Sequence, residues 1–337
     1  MPSSTSKSKP KASEVAADTR RNYIPLIKSS YGHIYRTCSQ LFAHPATELI
    51  PATVAPFGRL PTFYVRDGDP IYVSVNWAAQ LHSQNPNQTA VPFICSANDK
   101  RPGGDWETGV VGCEERLCRR STLSATLATP APGTYESNYP IPVLGGILSE
   151  HVVVFRGPAD RYERLTPEEW SVLPVCSVPP VRWPKLTQMG TKYSFAEERA
   201  MVKDKIRAAL LICTAAGYTD IVIGDFGLGN GYRNPPQEMA ELWREVILWD
   251  KDIRGRFKGI CFVFEDTKQS TAKLIIDDLN KKSRSGKSGS SASVSVSSAN
   301  TISDYEIFSY MFGGDEIQRF LTEPDPRYGL GTLMSPN

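Results

Sequence analysis

The chain has 337 residues, of which 40% are hydrophobic, and this is enough to build a sizeable core in one large domain or two small ones. The net charge is only +2, which argues against a nucleic-acid-binding protein that depends on bulk positive charge. The absence of a run of about 18 apolar residues and of an apolar core near the N-terminus argues against a membrane span and a secretory signal.

The first half of the chain predicts an N-terminal helical extension followed by strands and loops. Residues 1–18 are rich in Ser, Lys and Pro, which predicts a disordered tail. Apolar residues recur at helical spacing over residues 19–44, which predicts one or two helices. "RLPTFYVRDGD" and "PIYVSVNW" predict two strands around a Gly-Asp turn, "AAQLHSQ" a short helix and "VPFICSA" a buried strand. After a glycine-rich loop, we expect a helix over residues 114–123 and a strand over residues 152–155.

The second half of the chain predicts alternating helices and strands. "SFAEERAMVKDKIRAALLICTAAGY" predicts a long helix that opens with a capping box at Ser194 and Glu197 and ends near Gly217. "DIVIGD" and "GICFVFED" predict buried strands, with "PPQEMAELWREVILW" as the helix between them. This alternation predicts a parallel or mixed sheet with helices on both faces.

The last part of the chain contains a Ser/Gly-rich stretch over residues 280–304, which predicts a flexible insertion. "YEIFSYMFGGDEIQRFL" then predicts a closing helix. We therefore expect a single domain over residues 19–330 that carries this insertion and follows the disordered tail.

Seven cysteines and four histidines are scattered along the chain without the CxxC spacing of a zinc site, so we expect no metal and no cofactor. The odd number of cysteines favours reduced thiols and therefore an intracellular protein. The lysines between residues 7 and 11 fit either a nuclear signal or a solvated tail, which leaves the nucleus, the cytoplasm or both as the expected compartment. By default we expect a monomer without membrane attachment or direct DNA binding.

Two glycine-rich loops follow predicted strands. In "GDFGLGNGYRNPP", backbone N–H groups and the start of the next helix can form a cradle for phosphate oxygens. The loop lacks the Gly-Lys-Ser/Thr ending of a P-loop, and its glycines do not match GxGxxG, so a plain tight connection remains the alternative. "RPGGDWETGVVG" has the same position after a strand. Because loops at the carboxyl ends of parallel strands face one crevice, both loops are expected to meet over one ligand.

Two adjacent acids, Glu114 and Glu115, follow the loop "RPGGDWETGVVG". A nearby diphosphate and burial both raise the pKa of a carboxyl group, so one acid would stay protonated and donate a proton to a leaving oxygen. The alternative is that both acids only favour the start of a helix. Arg119 and Arg120 further along are predicted to lie on a solvated helix face rather than in a polymer-binding patch.

The glycines and the acids together resemble a signature of the poly(ADP-ribose) glycohydrolases, in particular the smaller microbial type. That family has three glycines, a short spacer and Gln-Glu-Glu; here Gly103-Gly104-Asp105 is followed by seven residues and then Cys113-Glu114-Glu115. The strands around "YVSVNWAAQLHS" and "FICSANDK", the stretch "ILSEHVVVFRG" and the loop "GDFGLGNGYRNPP" are also similar, so the resemblance spans residues 23–266. It implies a macrodomain-like three-layer α/β/α fold with a mixed, mainly parallel central sheet.

The resemblance implies hydrolysis of the ribose–ribose O-glycosidic bond of poly(ADP-ribose), with ADP-ribose as product, in the DNA damage response. Its partners would be the polymer or ADP-ribosylated proteins. Glu115 matches the general acid/base, and Glu114 would hold ribose hydroxyls and keep the pKa of Glu115 high. Asn98 would bond the ribose near the cleaved bond, and Tyr232 would pack on the terminal ribose. The implied substrate-binding residues are Asn98, Gly103, Gly104, Asp105, Val111, Gly112, Cys113, Phe226, Gly227, Leu228, Gly229, Asn230, Gly231 and Tyr232; for Phe226 a core position is an equal alternative.

Three departures from the family pattern leave other activities open. Asp105 replaces the third glycine, Cys113 replaces the glutamine, and Cys95 replaces an early asparagine, which leaves Asn98 as the nearest amide. One alternative is a hydrolase of a smaller derivative, such as a mono-ADP-ribosyl ester or protein bond, or ADP-ribose 1″-phosphate. Another is a non-catalytic ADP-ribose-binding macrodomain, against which the two retained acids argue.

Overall fold

The computed structural model describes residues 10–49, 57–87, 90–285 and 301–322. Within these ranges, a single mixed sheet has the strand order β1-β4-β5-β3-β6-β7-β2. Its strands are β1 Gln40–Phe42, β2 Thr62–Asp67, β3 Phe93–Ser96, β4 Gly146–Val154, β5 Ser171–Val178, β6 Asp220–Ile223 and β7 Gly259–Phe264.

Helices cover both faces of this sheet. They are α1 Ala12–Asp18, α2 Ile24–Ser30, α3 Pro45–Glu48, α4 Pro70–Gln84, α5 Cys113–Arg120, α6 Leu123–Leu127, α7 Ala196–Ala215, α8 Pro236–Trp249, α9 Thr271–Ser285, α10 Asp304–Met311 and α11 Gly314–Thr322. Along the buried strand β3, Ile94 packs into one hydrophobic cluster with α7, α8 and α10, whereas Phe93 and Cys95 pack into a second cluster with α4, α5 and α6. Successive side chains of a strand point to opposite faces, so two apolar layers result and the predicted three-layer α/β/α fold is confirmed.

The register of the central strands decides where the loops meet. β3 pairs in parallel with β6, with Phe93 opposite Val222, and also in parallel with β5. β6 pairs in parallel with β7, whereas β4 runs antiparallel to β5 and β1. The chain therefore leaves β3 and β6 at the same edge of the sheet, and the glycine-rich loops that follow these strands lie side by side, as predicted.

The stretch "PIYVSVNW" is a helix and not the predicted strand. It forms the first half of α4, and the predicted short helix "AAQLHSQ" is the second half. Asp69 caps this helix by accepting the backbone N–H of Ile71 at 3.0 Å, and Pro70 occupies the first turn, where a missing N–H costs nothing. These two start signals outweigh the β-branched residues, which suggested a strand.

The N-terminal extension is ordered from an earlier residue than predicted. Residues 12–18, which were expected in the disordered tail, form α1, and its Ala16 is fully buried against the α5 and α6 side of the core. A π-helical turn over Thr19–Tyr23 follows, and the hydroxyl of Thr19 donates to the carbonyl of Arg119 at 2.8 Å. Tertiary packing, which composition does not reveal, orders residues 12–23. Residues 1–9 lie outside the described part of the chain.

Further differences concern the second half. Residues 280–285 of the predicted insertion continue α9, Asp304 already begins α10, and residues 286–300 lie outside the described ranges. The closing helix is split into α10 and α11 near Gly313 and Gly314. The capping box at Ser194 is wrong, because α7 begins at Ala196 with Phe195 as its N-cap residue. Among the described helices, none is both long and apolar enough to cross a membrane.

Candidate active site

The two acids lie in the first turn of α5, whose N-cap residue is Gly112. Neighbouring residues on a helix point about 100° apart, so the two carboxyl groups enter different surroundings. Glu114 turns inward and is only 2% exposed; its Oε2 accepts the backbone N–H of Asn98 at 2.7 Å. Its Oε1 is buried with no hydrogen-bond partner among the residues that the structure describes. Glu115 is half-buried.

Burial determines the charge of Glu114. Loss of solvent raises the pKa of this carboxyl group to about 8; the negative charge of Glu115 adds to the rise, and the N–H of Asn98 opposes it. At neutral pH Glu114 is therefore largely protonated, and its carboxyl O–H can act as a hydrogen-bond donor. The acid that burial keeps protonated is therefore Glu114, whereas the resemblance assigns proton transfer to Glu115.

The carboxyl group of Glu115 lies against the glycine loop. A Cβ atom on Gly104, whose φ is +57°, would lie 2.6 Å from Oε1 of Glu115, and a Cβ on Gly112 would overlap Oε2. The side-chain amide of Asn98 borders the same space, 3.3 Å from that position on Gly104. These two glycines therefore leave the room that the Glu115 carboxyl group occupies next to Asn98.

Gly112→Ala is expected to lower the ADP-ribose release that the resemblance implies roughly a hundredfold, while the melting temperature changes little. The backbone of Gly112, with φ −136° and ψ 167°, suits alanine, and the new methyl group meets only the flexible end of Glu115, which must move away. Thermal unfolding and the release of ADP-ribose from poly(ADP-ribose), measured on one preparation, test this expectation. Gly109→Ala is the matched control, because a Cβ there meets nothing within 4 Å. Full activity of Gly112→Ala would contradict the placement of Glu115.

Arg119 holds the glycine loop from behind, and the prediction of a solvated face for Arg119 and Arg120 is wrong. Arg119 is 1% exposed, and Arg120 is also buried, where it pairs with Asp69 at 2.7 Å. The N-terminal extension and the glycine loop cover α5, so both guanidinium groups are buried. Each therefore has hydrogen-bond or ion-pair partners, because an unpaired buried polar group is costly. The guanidinium of Arg119 donates to the carbonyls of Trp106 at 2.8 Å, Thr108 at 2.9 Å and Val110 at 2.7 Å.

The loop after β6 offers fewer amides than its glycines suggest. The N–H of Gly227 donates to Oγ of Ser96 at 3.4 Å, and the N–H of Gly229 donates to Oγ1 of Thr271 at 2.7 Å. In the described part of the chain, the N–H groups of Asn230 and Gly231 have no acceptor. Among residues 227–231, the amides left for a phosphate are therefore those of Asn230 and Gly231.

A buried hydrogen-bond network between Thr271 and Asp304 holds the loop after β6 in place. The hydroxyl of Thr271 donates to Oδ2 of Asp304 at 2.6 Å, and its backbone N–H donates to Oδ1 at 2.8 Å. Burial raises the pKa of Asp304 to about 6, while the bonds from Thr271 oppose the rise. Sequence reasoning misses both residues: Asp304 belongs to the predicted insertion, and only the fold brings it to the loop.

Tyr232 lies beside a cation that the sequence did not single out. The guanidinium of Arg182 is 5.2 Å from the ring centroid of Tyr232, and the N–H of Trp183 donates to the carbonyl of Tyr232 at 2.7 Å. The charge of Arg182 also acts on Glu114, where it lowers the pKa. Arg182 therefore adds positive potential between the acid pair and the loop after β6, which suits an anionic ligand.

Other predicted site residues lie in the core or at the rim. Phe226 is 2% exposed and packs edge-on against Trp243 with ring centroids 5.6 Å apart, which favours the core alternative. Leu228 is also buried. Val111 is exposed, and Asp105 forms an ion pair with Arg101 near the surface.

Cys113 borders a small cavity between α5 and the ends of β6 and β7. The cavity measures about 60 Å³, and Arg116, Asp225 and Glu265 also line it. Arg116 and Glu265 form an ion pair at 3.1 Å. On the opposite side, Sγ of Cys113 lies 3.9 Å from Sγ of Cys95 in β3. Among the described residues, no group of three or more His, Cys, Asp or Glu side chains is placed to hold a metal ion.

A mixed sheet between two helical layers, with an acid-bearing glycine loop and a second glycine loop at one edge, defines a macrodomain-like protein. Residues 68–157 match a family model described as the catalytic domain of microbial-type poly(ADP-ribose) glycohydrolase (PARG). The resemblance to this family is confirmed over these residues. A search of curated proteins finds no match.

Solved structures share the fold. A poly(ADP-ribose) glycohydrolase from Thermomonospora curvata is similar with a TM-score of 0.55 and 18% identity, over 80% of this chain and 98% of that one. The same enzyme bound to the inhibitor ADP-HPD gives a TM-score of 0.54 at 17% identity, with the same shares covered. A poly(ADP-ribose) glycohydrolase from Deinococcus radiodurans in complex with ADP-ribose gives a TM-score of 0.51 and 20% identity, over 73% and 96%. At such identities the similarity defines the fold.

Proposed function

We propose that this protein hydrolyses the ribose–ribose O-glycosidic bonds of poly(ADP-ribose) and releases ADP-ribose. The observation that carries the proposal is the position of Glu115, whose carboxyl group lies against Gly104 and Gly112 at the sheet edge where the loop after β6 also begins. The family match over residues 68–157 supports it, since that match includes both acids.

In the proposed reaction the negative field of the bound substrate's diphosphate favours the protonated form of Glu115, which is the general acid and then the general base. Glu115 protonates the leaving ribose oxygen while positive charge develops at the anomeric carbon, and it then accepts a proton from the attacking water. Two carboxyl groups about 100° apart on one helix turn do not flank a bond as in common two-carboxylate glycosidases. Because Glu114 is buried, we assign it to positioning Asn98, whose backbone N–H donates to Oε2 of Glu114, rather than to direct contact with a ribose hydroxyl.

The remaining groups seat the substrate. The N–H groups of Asn230 and Gly231 and the charge of Arg182 bind the diphosphate, and the ring of Tyr232 packs on the ribose. Asn98 already accepts the backbone N–H groups of Lys100 at 2.9 Å and Arg101 at 3.1 Å through Oδ1. Its Nδ2 is therefore the atom that donates to the ribose near the cleaved bond.

The partners in this proposal are poly(ADP-ribose) and ADP-ribosylated proteins. We include in it a single domain, predicted over residues 19–330 and extended at its start by α1, that acts as a monomer without direct DNA binding, in the nucleus, the cytoplasm or both, within the DNA damage response. The net charge of +2 supports the weak DNA affinity.

Release of ADP-ribose from two substrates tests the proposal. Purified protein is incubated with poly(ADP-ribose) and, separately, with a mono-ADP-ribosylated protein, and free ADP-ribose is quantified by chromatography. The expected result is rapid release from the polymer. Release from the mono-modified protein alone would overturn the proposal in favour of a hydrolase of smaller derivatives. Binding of ADP-ribose without release from either substrate would overturn it in favour of a non-catalytic macrodomain.

A further inference from the structure

Two cysteines meet beside the proposed active site. Sγ of Cys95 in β3 and Sγ of Cys113 in the first turn of α5 are 3.9 Å apart, although 18 positions separate them in the chain. Both residues depart from the family pattern, in which an asparagine and a glutamine are expected. The two departures together create one contact, a thiol pair that joins the central sheet to the helix carrying Glu115.

The two thiols differ in how they can be reached. Cys95 is fully buried, and the contact with Cys113 and burial raise the pKa of its thiol. Cys113 is half-buried and lines the cavity of about 60 Å³ beside Arg116. A water molecule needs about 10–15 Å³ of such space, so a small hydroperoxide fits. Cys113 is therefore the thiol that meets an oxidant, and Cys95, whose Sγ lies 3.9 Å away, is the thiol close enough to resolve the product.

We propose that Cys95 and Cys113 form a reversible oxidation site for hydroperoxides and that their disulfide inactivates the enzyme. With hydrogen peroxide, the Cys113 sulfur attacks one oxygen, the O–O bond breaks, and a sulfenic acid and one water result. The Cys95 sulfur then attacks the Cys113 sulfur, the S–O bond breaks, the proton of the Cys95 thiol passes to the departing hydroxyl group, and a second water leaves as the S–S bond forms. Two thiols and one peroxide thus give one disulfide and two waters, and an added dithiol reduces the bond again.

Closure of the pair moves the catalytic helix. A disulfide requires an S–S distance of about 2.05 Å, so the sulfurs must approach by about 1.9 Å. Cys95 lies in β3, which is held on both sides by hydrogen bonds to β5 and β6. The first turn of α5, which carries Cys113, is therefore the part that moves. Glu115 shifts with it, and a 1 Å misplacement of a reacting group can cost about a hundredfold in rate. The effect on activity rests on the proposed function, whereas the disulfide does not.

The test combines disulfide mapping with turnover on the full chain. Protein is treated with hydrogen peroxide, alkylated and digested, and mass spectrometry searches for a peptide pair linked through Cys95 and Cys113. ADP-ribose release from polymer is measured before treatment, after it, and after dithiothreitol. We expect the linked pair, a fall in turnover of at least tenfold, and recovery of both signals with dithiothreitol.

Three variants make the test specific, each judged by its treated-to-untreated ratio of turnover. Cys113→Ser should keep a ratio near one. Cys95→Ser should form no linked pair, because the sulfenic acid on Cys113 then lacks its partner thiol. Cys176→Ser should respond like the parent, because Cys176 and its neighbour Cys213 are fully buried in the opposite core cluster.

Absence of the linked pair from treated parent protein would overturn the proposal, as would inactivation of Cys113→Ser to the same extent as the parent. A linked pair without loss of turnover would overturn the inactivation. If the parent cleaves no polymer at all, the proposed function fails, while disulfide mapping still decides the oxidation site.

Discussion

Replacing Glu115 with glutamine is expected to lower turnover of poly(ADP-ribose) by at least about a hundredfold, the usual scale for the loss of a general acid. The amide has the size of the carboxyl group and fits the same space against Gly104 and Gly112, but it transfers no proton. Binding of ADP-ribose should persist, because the diphosphate contacts come from the loop after β6. Glu115→Ala should lose at least as much turnover.

Turnover is measured as ADP-ribose release from polymer, and binding is measured by calorimetry with ADP-ribose. Glu107→Gln is the matched control, since Glu107 lies in the same loop but is exposed and pairs with Arg20 at 2.7 Å. A Glu115→Gln variant that cleaves at the parent rate would refute the assignment of the general acid. Binding without turnover in both the parent and the variant would identify a reader of ADP-ribose.

The free energy of unfolding is expected to fall as the pH rises from about 4.5 to about 8, and Glu114 is the main cause. Its pKa is about 8 in the folded protein against a usual 4.5, so in this range the native state holds a proton that the unfolded state has released. Raising the pH therefore favours unfolding. At about 1.4 kcal/mol for each pH unit, the full cost above pH 8 is roughly 5 kcal/mol. Below pH 4.5 both states are protonated and the contribution vanishes.

Denaturant unfolding of Glu114→Gln beside the parent at pH 5, 7 and 8.5 measures this contribution. The neutral amide has nothing to titrate, so the stability of the variant relative to the parent should increase steadily across the three pH values. The comparison removes the influence of Asp225, Glu265 and Asp304, whose pKa values burial also raises and which both proteins share. Parallel pH profiles for variant and parent would refute a buried, protonated Glu114, and Glu107→Gln should follow the parent.

Local signals were sufficient for β3, β6 and β7 and for the positions of both loops. β3 and β6 are short apolar runs between turn signals, and each is followed by glycines, so their type and the common edge were predictable. Local signals failed at α4, where β-branched residues masked a helix start made by Asp69 and Pro70. β5 and α9 were missed: Pro174 within β5 argues against a strand, and the end of α9 lies in the Ser/Gly-rich stretch that predicts an insertion.

The sequence by itself determined which residues stand at the candidate site: a glycine loop ending in Glu114 and Glu115, and a second glycine loop after a buried strand. It did so because turn glycines, apolar runs and adjacent acids are local patterns. Only the tertiary structure decided that Glu114 is the buried, protonated acid, that Arg119 supports the loop, that Thr271, held by Asp304, occupies the amide of Gly229 in the loop after β6, and that Cys95 meets Cys113. Burial and contacts between distant segments set charge and hydrogen bonding, and no local pattern records them.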